Sequence, residues 1–128
     1  MQQTYEFNML PPSTNAMYRC FRGRICKSVR LKMFEQQIIT HFNDLDEDIP
    51  MIEGPINVDV TFYLKGNKDT DLDNLLKALL DGLEGILYKN DKMITSITAH
   101  KINKCKENKT SITLKTCVPL LADLPKLR

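Results

Sequence analysis

The stretch INVDVTFYLKGNKDTDLDNLLKALLDGLEGILYKND, residues 56–91, contains the two clearest elements of the chain. Its opening part, residues 56–64, has an apolar side chain at every second position, the period of a β-strand with one buried face. Its leucines then recur at three- and four-residue intervals, which predicts an amphipathic helix over about residues 71–84. Gly85 follows where a glycine commonly ends a helix. The stretch therefore predicts a strand followed by a helix.

Weaker patterns on either side predict a second helix and further strands. Ser28 is a suitable N-cap for a helix over about residues 29–43. The residues predicted near one face of that helix are Val29, Met33, Phe34, Ile38, His41 and Phe42. Further strands are predicted over residues 3–10 and in a final hairpin formed by 93–102 and 110–118, and residues 16–28 are predicted to form either a hairpin broken at Gly23 or a loop with β character. We therefore predict an α+β fold: a single domain, 1–128, with two helices packed on a mixed β-sheet and 118–128 as a peripheral tail.

Composition indicates a soluble globular domain, with 42% apolar and 27% charged residues. No apolar run approaches the roughly 18 residues of a membrane span, and the N-terminus does not resemble a signal peptide. We therefore expect a cytoplasmic protein with no membrane contact. The four cysteines show no CxxC spacing and neither histidine lies near a cysteine pair, so free thiols are favoured over zinc ligands or disulfides. These cysteines are Cys20, Cys26, Cys105 and Cys117.

The small net charge of +2 conceals an uneven distribution. Residues 1–43 carry +4, residues 44–98 carry −7, and residues 99–128 carry +5. An acidic centre between basic flanks suits an enzyme that binds a polyanion and a metal ion. A solvated surface with chance segregation of charge is the alternative that charge alone leaves open.

Asp71 and Asp73 stand one residue apart at the start of the predicted second helix. Aspartate favours helix N-termini, so capping is one interpretation of this pair. A metal site is the other, because a carboxylate at the cap position and one two residues later can converge. Asp73, Lys77, Asp81 and Glu84 also recur along one face of the helix. Both interpretations are open at this point.

Three motifs occur in a fixed order: PPSTNAMYR at 11–19, DLDNLLKALLDGLEG at 71–85, and ILYKNDKMI at 86–94, with Lys101 ten residues after Asp91. Together they resemble the RusA family of Holliday junction resolvases, the crossover junction endodeoxyribonucleases, over roughly residues 8–101. The PPS motif alone is weak. The other two together are specific, because the length of the intervening helix must match as well.

The resemblance implies a metal site and a catalytic lysine. In this family three aspartates bind the divalent metal needed for cleavage, and these correspond to Asp71, Asp73 and Asp91. The family's essential lysine corresponds to Lys77, which we expect to contact the scissile phosphate or the departing oxygen. Carboxylates without histidine suit Mg²⁺, with Mn²⁺ as a substitute. The family usually has two consecutive aspartates where this chain has Asn90 before Asp91, so one negative charge is absent.

The resemblance further implies a Mg²⁺-dependent, structure-selective endonuclease that resolves four-way or branched DNA by paired symmetric nicks in recombination and repair. It implies a homodimer, whose two-fold symmetry would match that of a junction, and no nucleotide cofactor. It leaves open whether a prophage or its host encodes the protein. The residues expected to contact DNA are Asn15, Arg19, Arg22, Arg24, Lys27 and Lys101.

Two other functions are compatible with the same residues. A non-catalytic DNA-binding protein of the same fold would have a metal site weakened at Asn90. A nucleotidyl- or glycosyltransferase would use the aspartate pair to hold a metal diphosphate, but the chain has no glycine-rich loop to cradle a nucleotide.

Overall fold

A computed structural model of the chain describes residues 2–45, 48–66 and 70–116. These residues form strands and helices joined by loops and two short 3₁₀ turns, at Thr14–Ala16 and Asp91–Met93. In chain order the elements are β1 (Gln2–Phe7), β2 (Tyr18–Phe21), β3 (Arg24–Lys27), α1 (Val29–Asn43), β4 (Ile56–Lys65), α2 (Leu72–Leu83), β5 (Ile94–Cys105) and β6 (Lys109–Thr116). The predicted α+β fold, with two helices and a mixed sheet, is confirmed.

Four strands form the main sheet in the order β1-β6-β4-β5, and β2 pairs with β3 in a separate ribbon. The predicted hairpin of the last two strands is wrong, because β4 lies between β5 and β6. The turn after β5 crosses the end of β4, where the Asn108 side-chain oxygen accepts a hydrogen bond from the Lys65 amide at 2.8 Å. Alternating patterns identified these strands, but such patterns carry no information about which strands are neighbours.

Strands β4 and β5 are parallel, with α2 as the crossover between them. A parallel pair requires such a crossover, because its second strand must start again at the same end of the sheet. The helix therefore starts near the carboxyl end of β4 and runs back toward Ile56 and its partner Ile94 at the start of β5. This path places the two ends of α2 at opposite ends of the parallel pair, and it decides where each acidic residue of the helix lies.

The core lies between one face of the sheet and the two helices. Alternate residues of β4 and β6 are buried, and α2 contributes Leu75, Leu79 and Leu83. The predicted buried face of α1 is partly wrong: Val29 is 61% and Met33 57% exposed. The residues of α1 that are buried are Leu31, Phe34, Ile38 and Phe42.

Gly82 sits where α2 approaches α1. A β-carbon at this position would lie 3.0 Å from Cδ1 of Ile38. A larger residue would therefore force the two helices apart or displace the isoleucine side chain. The close approach holds α2 against the body of the protein, which fixes the face of the helix that bears the acidic residues.

Ser28 is the N-cap of α1, and the helix bounds 29–43 are confirmed. Its hydroxyl accepts a hydrogen bond from the Leu31 amide at 3.1 Å and donates one to the Ala16 carbonyl. We expect Ser28→Ala to lower the free energy of unfolding by about 1–3 kcal/mol, because a buried cap and its second partner are both lost. Urea unfolding checks this value. Ser13→Ala is the matched control, since the Ser13 side chain makes no cap hydrogen bond; an equal loss in both variants would contradict the prediction.

The predicted tail, 118–128, and Cys117 lie outside the described residues, and the domain bounds 1–128 stay a prediction. Cys20, Cys26 and Cys105 are free cysteines. Within the described ranges, no helix has the length and apolar character needed to cross a membrane.

Candidate active site

The start of α2 places Asp71 at the N-cap position and Asp73 in the first turn. The Asp71 backbone is extended and its carbonyl accepts a hydrogen bond from the Asn74 amide at 3.2 Å, but its side chain makes no cap hydrogen bond. Both residues are exposed. The Asp71 carboxylate is thus not used for capping in this structure, and it remains available to a ligand.

Two contacts from distant parts of the chain hold this end of α2. The Lys101 amine of β5 donates a hydrogen bond to the Thr70 carbonyl at 2.8 Å. The Thr14 hydroxyl, which follows the PPS motif, donates to the Asn74 carbonyl at 3.2 Å. Lys101, predicted to contact DNA, therefore lies beside the residue that precedes Asp71.

The other end of α2 leads to Asp91 through a tight turn. Gly85 adopts a φ of 86°, which favours glycine, and its amide donates to the Tyr88 carbonyl at 2.7 Å. The Tyr88 ring is fully buried and its hydroxyl donates to the Leu80 carbonyl. Burial raises the Tyr88 pKa far above its ordinary value, with the negative charge of Asp91 adding to the effect, so the hydroxyl remains a neutral donor. This turn folds the chain back along α2.

Asn90 fixes the backbone at Asp91. It is the N-cap of the Asp91–Met93 turn, and its side-chain oxygen accepts a hydrogen bond from the Lys92 amide at 2.9 Å. The sequence identified Asn90 by the charge it lacks, but the structure shows a conformational role as well. An aspartate could make the same bond, so the substitution changes the charge beside Asp91 while keeping the turn.

Asp91 lies beside two carboxylates of α2. One ligand atom each from Asp81, Glu84 and Asp91 lie within 4.8 Å of one another, and no further group of this kind occurs among the residues described. Asp71 and Asp73 do not belong to it. Asp73 precedes Asp81 by two helical turns, about 12 Å along the axis at roughly 1.5 Å per residue.

The acidic residues of α2 and of the turn after it form an acidic strip, defined here as Asp71, Asp73, Asp81, Glu84 and Asp91, of which Asp71, Asp73 and Asp91 are predicted site residues. The helical spacing of Asp81 and Glu84 is visible in the sequence, although neither is among the predicted site residues. The position of Asp81 and Glu84 on the helix face that bears Asp73 was the sequence feature that could have identified them. Their proximity to Asp91 depends on the turn after the helix, which the spacing did not reveal.

Lys77 lies on the strip between its two acidic ends. Its amine is 3.1 Å from each carboxylate oxygen of Asp81. The hydrogen bond and charge of Asp81 raise the Lys77 pKa, and the charge of Asp91 raises it further, so Lys77 is a cation at neutral pH. The lysine side chain is 58% exposed, which leaves its amine accessible to a second anion.

The acidic strip has the donors that a hard divalent cation requires. It offers carboxylate oxygens and no sulfur or imidazole, which suits Mg²⁺ better than zinc. Three carboxylates as close as those around Asp91 repel one another, and a bound cation relieves this repulsion. The residues present therefore fit a magnesium or manganese ion.

The other predicted DNA contacts lie near the β2–β3 ribbon. Asn15 is exposed in the Thr14–Ala16 turn, just before β2. Lys27 forms an ion pair with Glu35 of α1, at 3.0 Å. The three arginines differ from Lys27, since in the part of the chain that the structure covers none of them forms an ion pair. These are Arg19, Arg22 and Arg24.

Sequence comparisons find known proteins that are similar to this chain. A family model described as "Endodeoxyribonuclease RusA" matches residues 9–115. A protein named "Crossover junction endodeoxyribonuclease RusA" from Aquifex aeolicus (strain VF5) is 29% identical over 106 residues, covering 81% of this chain and 81% of that protein. The match to the family model includes both ends of the acidic strip, Lys77 and the β2–β3 ribbon.

Proposed function

The chain belongs to the RusA family of endodeoxyribonucleases, and from this premise we propose that it is a Mg²⁺-dependent, structure-selective endonuclease. Its proposed substrate is a four-way or branched DNA junction, which it resolves by paired symmetric nicks in DNA recombination and repair. The observation that carries this proposal is the acidic strip along α2, with the Lys77 cation held between its two ends. Family membership gives no support to the transferase alternative.

We propose that Asp71, Asp73 and Asp91 are metal ligands, with Mg²⁺ as the cofactor and Mn²⁺ as a substitute. Because Asp71 and Asp73 lie at one end of the acidic strip and Asp91 at the other, a single ion bound within one chain would not contact all three. Because Asp81 and Glu84 lie beside Asp91, they are further candidates at that end of the strip. When bound, Mg²⁺ would lower the pKa of a coordinated water and polarise the phosphate. The protein's own part is to hold these carboxylates on a rigid helix and on the turn that follows it.

Lys77 is proposed to contact the scissile phosphate or the departing oxygen. Its raised pKa keeps it protonated, so it can stabilise negative charge that develops during cleavage. Asn15, Lys27 and Lys101 are proposed to contact DNA together with the ribbon arginines. We further propose a homodimer, because paired nicks on two strands require two active sites. A cytoplasmic location remains a prediction.

The test is incubation of the purified protein with a synthetic four-way junction and with a linear duplex of the same sequence, with and without Mg²⁺. We expect nicks at symmetric positions in two opposed strands of the junction, only with Mg²⁺ or Mn²⁺, and little cleavage of the duplex. Tight junction binding without cleavage under both metals would instead support the non-catalytic DNA-binding protein. Equal cutting of junction and duplex would contradict structure selectivity.

Asn90→Asp is expected to increase cleavage several-fold at limiting Mg²⁺ and to change it little at saturating Mg²⁺. The new carboxylate can keep the bond to the Lys92 amide while adding negative charge beside Asp91, which favours cation binding. A Mg²⁺ titration of the cleavage rate checks this shift. Asn90→Ala is the control: it removes the cap and is expected to lower the rate. An unchanged Mg²⁺ dependence in Asn90→Asp would exclude a role for the missing charge.

A further inference from the structure

The β2–β3 ribbon is exposed along its whole length. All residues of both strands are exposed, and the two strands pair with each other and not with the main sheet. Arg22 and Gly23 connect them with φ values of 50° and 74°, a two-residue turn that matches the twist of a hairpin. Such a short ribbon has no hydrophobic core of its own, so folding alone does not explain why its side chains include large apolar and aromatic residues.

The strand register divides the ribbon into two different faces. Directly opposed residues of an antiparallel pair share a face, and neighbours along a strand alternate between faces. One face carries Tyr18 opposite Lys27, and Cys20 opposite Ile25. Lys27 joins this face to α1 through Glu35.

The other face, named here the arginine face, carries Arg19 opposite Cys26 and Phe21 opposite Arg24. Arg22 in the turn also belongs to it, because its guanidinium carbon lies 5.2 Å from the centre of the Phe21 ring. Phe21 as a residue remains 63% exposed. A large aromatic side chain is therefore presented to solvent among three arginines.

The composition of the arginine face fits DNA better than protein or lipid. Within the described residues no carboxylate pairs with these arginines, so their charge is available to phosphates. An exposed aromatic ring between phosphate-binding cations is the arrangement by which proteins hold an unstacked nucleobase. The arginine charges favour a polyanion as the ligand. The Phe21 ring adds a contact with a base, which phosphate groups do not provide.

We propose that Phe21 stacks on an unstacked nucleobase at the branch point of a DNA junction, while Arg19, Arg22 and Arg24 hold the neighbouring phosphates. The inference rests on the proposed function and names how the enzyme distinguishes a junction from a duplex. In a continuous duplex both faces of each base are covered by neighbours, so the ring could meet a base face only if the duplex were first unstacked, which costs free energy at each step. Where strands exchange, the stacking of bases is interrupted and Phe21 can occupy the gap.

The inference is tested by binding, measured on the full chain in the absence of divalent metal so that no cleavage occurs. We expect Phe21→Ala to weaken junction binding about 5- to 100-fold and linear-duplex binding less than about 2-fold, because stacking on one base is lost and phosphate contacts remain. Phe21→Tyr keeps an aromatic ring and is expected to retain junction binding. Ile25→Ala is the matched control, since Ile25 lies on the opposite face of the same ribbon and is even more exposed, at 81%.

A second readout is a fluorescent adenine analogue placed in turn at each branch-point position of the junction. The unmodified protein and Phe21→Tyr are expected to change its fluorescence, and Phe21→Ala is expected not to. Equal weakening of junction and duplex binding by Phe21→Ala, or no weakening at all, would overturn the inference while leaving the proposed nuclease intact. A protein that shows no preference for junction over duplex would overturn the proposed function and the inference with it.

Discussion

Replacing Asp91 by asparagine is expected to lower the rate of junction cleavage by at least about 100-fold while leaving junction binding without metal unchanged or tighter. The carboxylate is proposed to hold the cation, and loss of a catalytic cation costs several kcal/mol of transition-state stabilisation. Binding should not suffer, because Asp91→Asn removes a negative charge that repels phosphate. Single-turnover cleavage and metal-free binding measure the two quantities separately.

Measurements of protein stability test the Asp91→Asn substitution independently of cleavage. Asp81, Glu84 and Asp91 repel one another without a cation, so Asp91→Asn is expected to be neutral or stabilising in metal-free buffer. Mg²⁺ should raise the melting temperature of the unmodified protein, and raise it less in the variant. Asp59→Asn removes an exposed carboxylate of β4 outside the strip and serves as the control. If Asp91→Asn cleaved the junction at a normal rate, the proposed metal site would be wrong.

Lys77→Ala is expected to lower junction cleavage by about 100-fold, with a change in stability below about 1 kcal/mol. Its only ion pair in the described structure is with Asp81, and the lysine is 58% exposed, so the pair contributes little to folding. The large effect should come from the loss of a cation at the scissile phosphate. Single-turnover rates and urea unfolding of the same preparations separate these contributions.

Lys109→Ala is the matched control for the loss of an ion pair. Lys109 pairs with Glu6 at 3.4 Å between β6 and β1, outside the acidic strip. We expect this variant to cleave at a rate within a few-fold of the unmodified protein. Normal cleavage by Lys77→Ala would remove the lysine from the proposed mechanism and leave it as a surface ion pair.

Much of the fold could be predicted because its signals are local. The Ser28 cap, the leucine periodicity of α2 and the alternation in β4 each depend on residues close together in the chain. The neighbour order of the strands is not local. The three-residue connection between β5 and β6 suggested a hairpin, whereas it crosses the end of β4, which separates the two strands.

The buried face of α1 is a second feature that the sequence pattern did not predict correctly. Val29 and Met33 are apolar at a spacing that suits a buried face, yet both are exposed, and Leu31 is buried instead. Near the end of a helix, the neighbours that the fold supplies decide which side is covered. For α1 one such neighbour is the chain around Ala16, whose carbonyl accepts a hydrogen bond from the Ser28 hydroxyl. The periodicity of the helix sequence does not specify this contact.

The sequence provided candidate residues for the site but not their arrangement. The resemblance pointed to Asp71, Asp73, Lys77 and Asp91, and these remain the proposed functional residues. That Asp91 lies beside Asp81 and Glu84 follows from the positive φ of Gly85 and from the buried Tyr88, which together return the chain toward the helix. Such a return depends on tertiary packing, and spacing along the sequence does not encode it.

The most direct test of the central claim uses a supercoiled plasmid that extrudes a cruciform, which is a four-way junction. A single nick releases the supercoiling and the cruciform is reabsorbed, so linear product arises only when two opposed strands are cut within one binding event. We predict linear plasmid in the presence of Mg²⁺, cut at symmetric positions at the base of the cruciform, and no product without the metal. Nicked circles alone, or linear product independent of metal, would contradict the account.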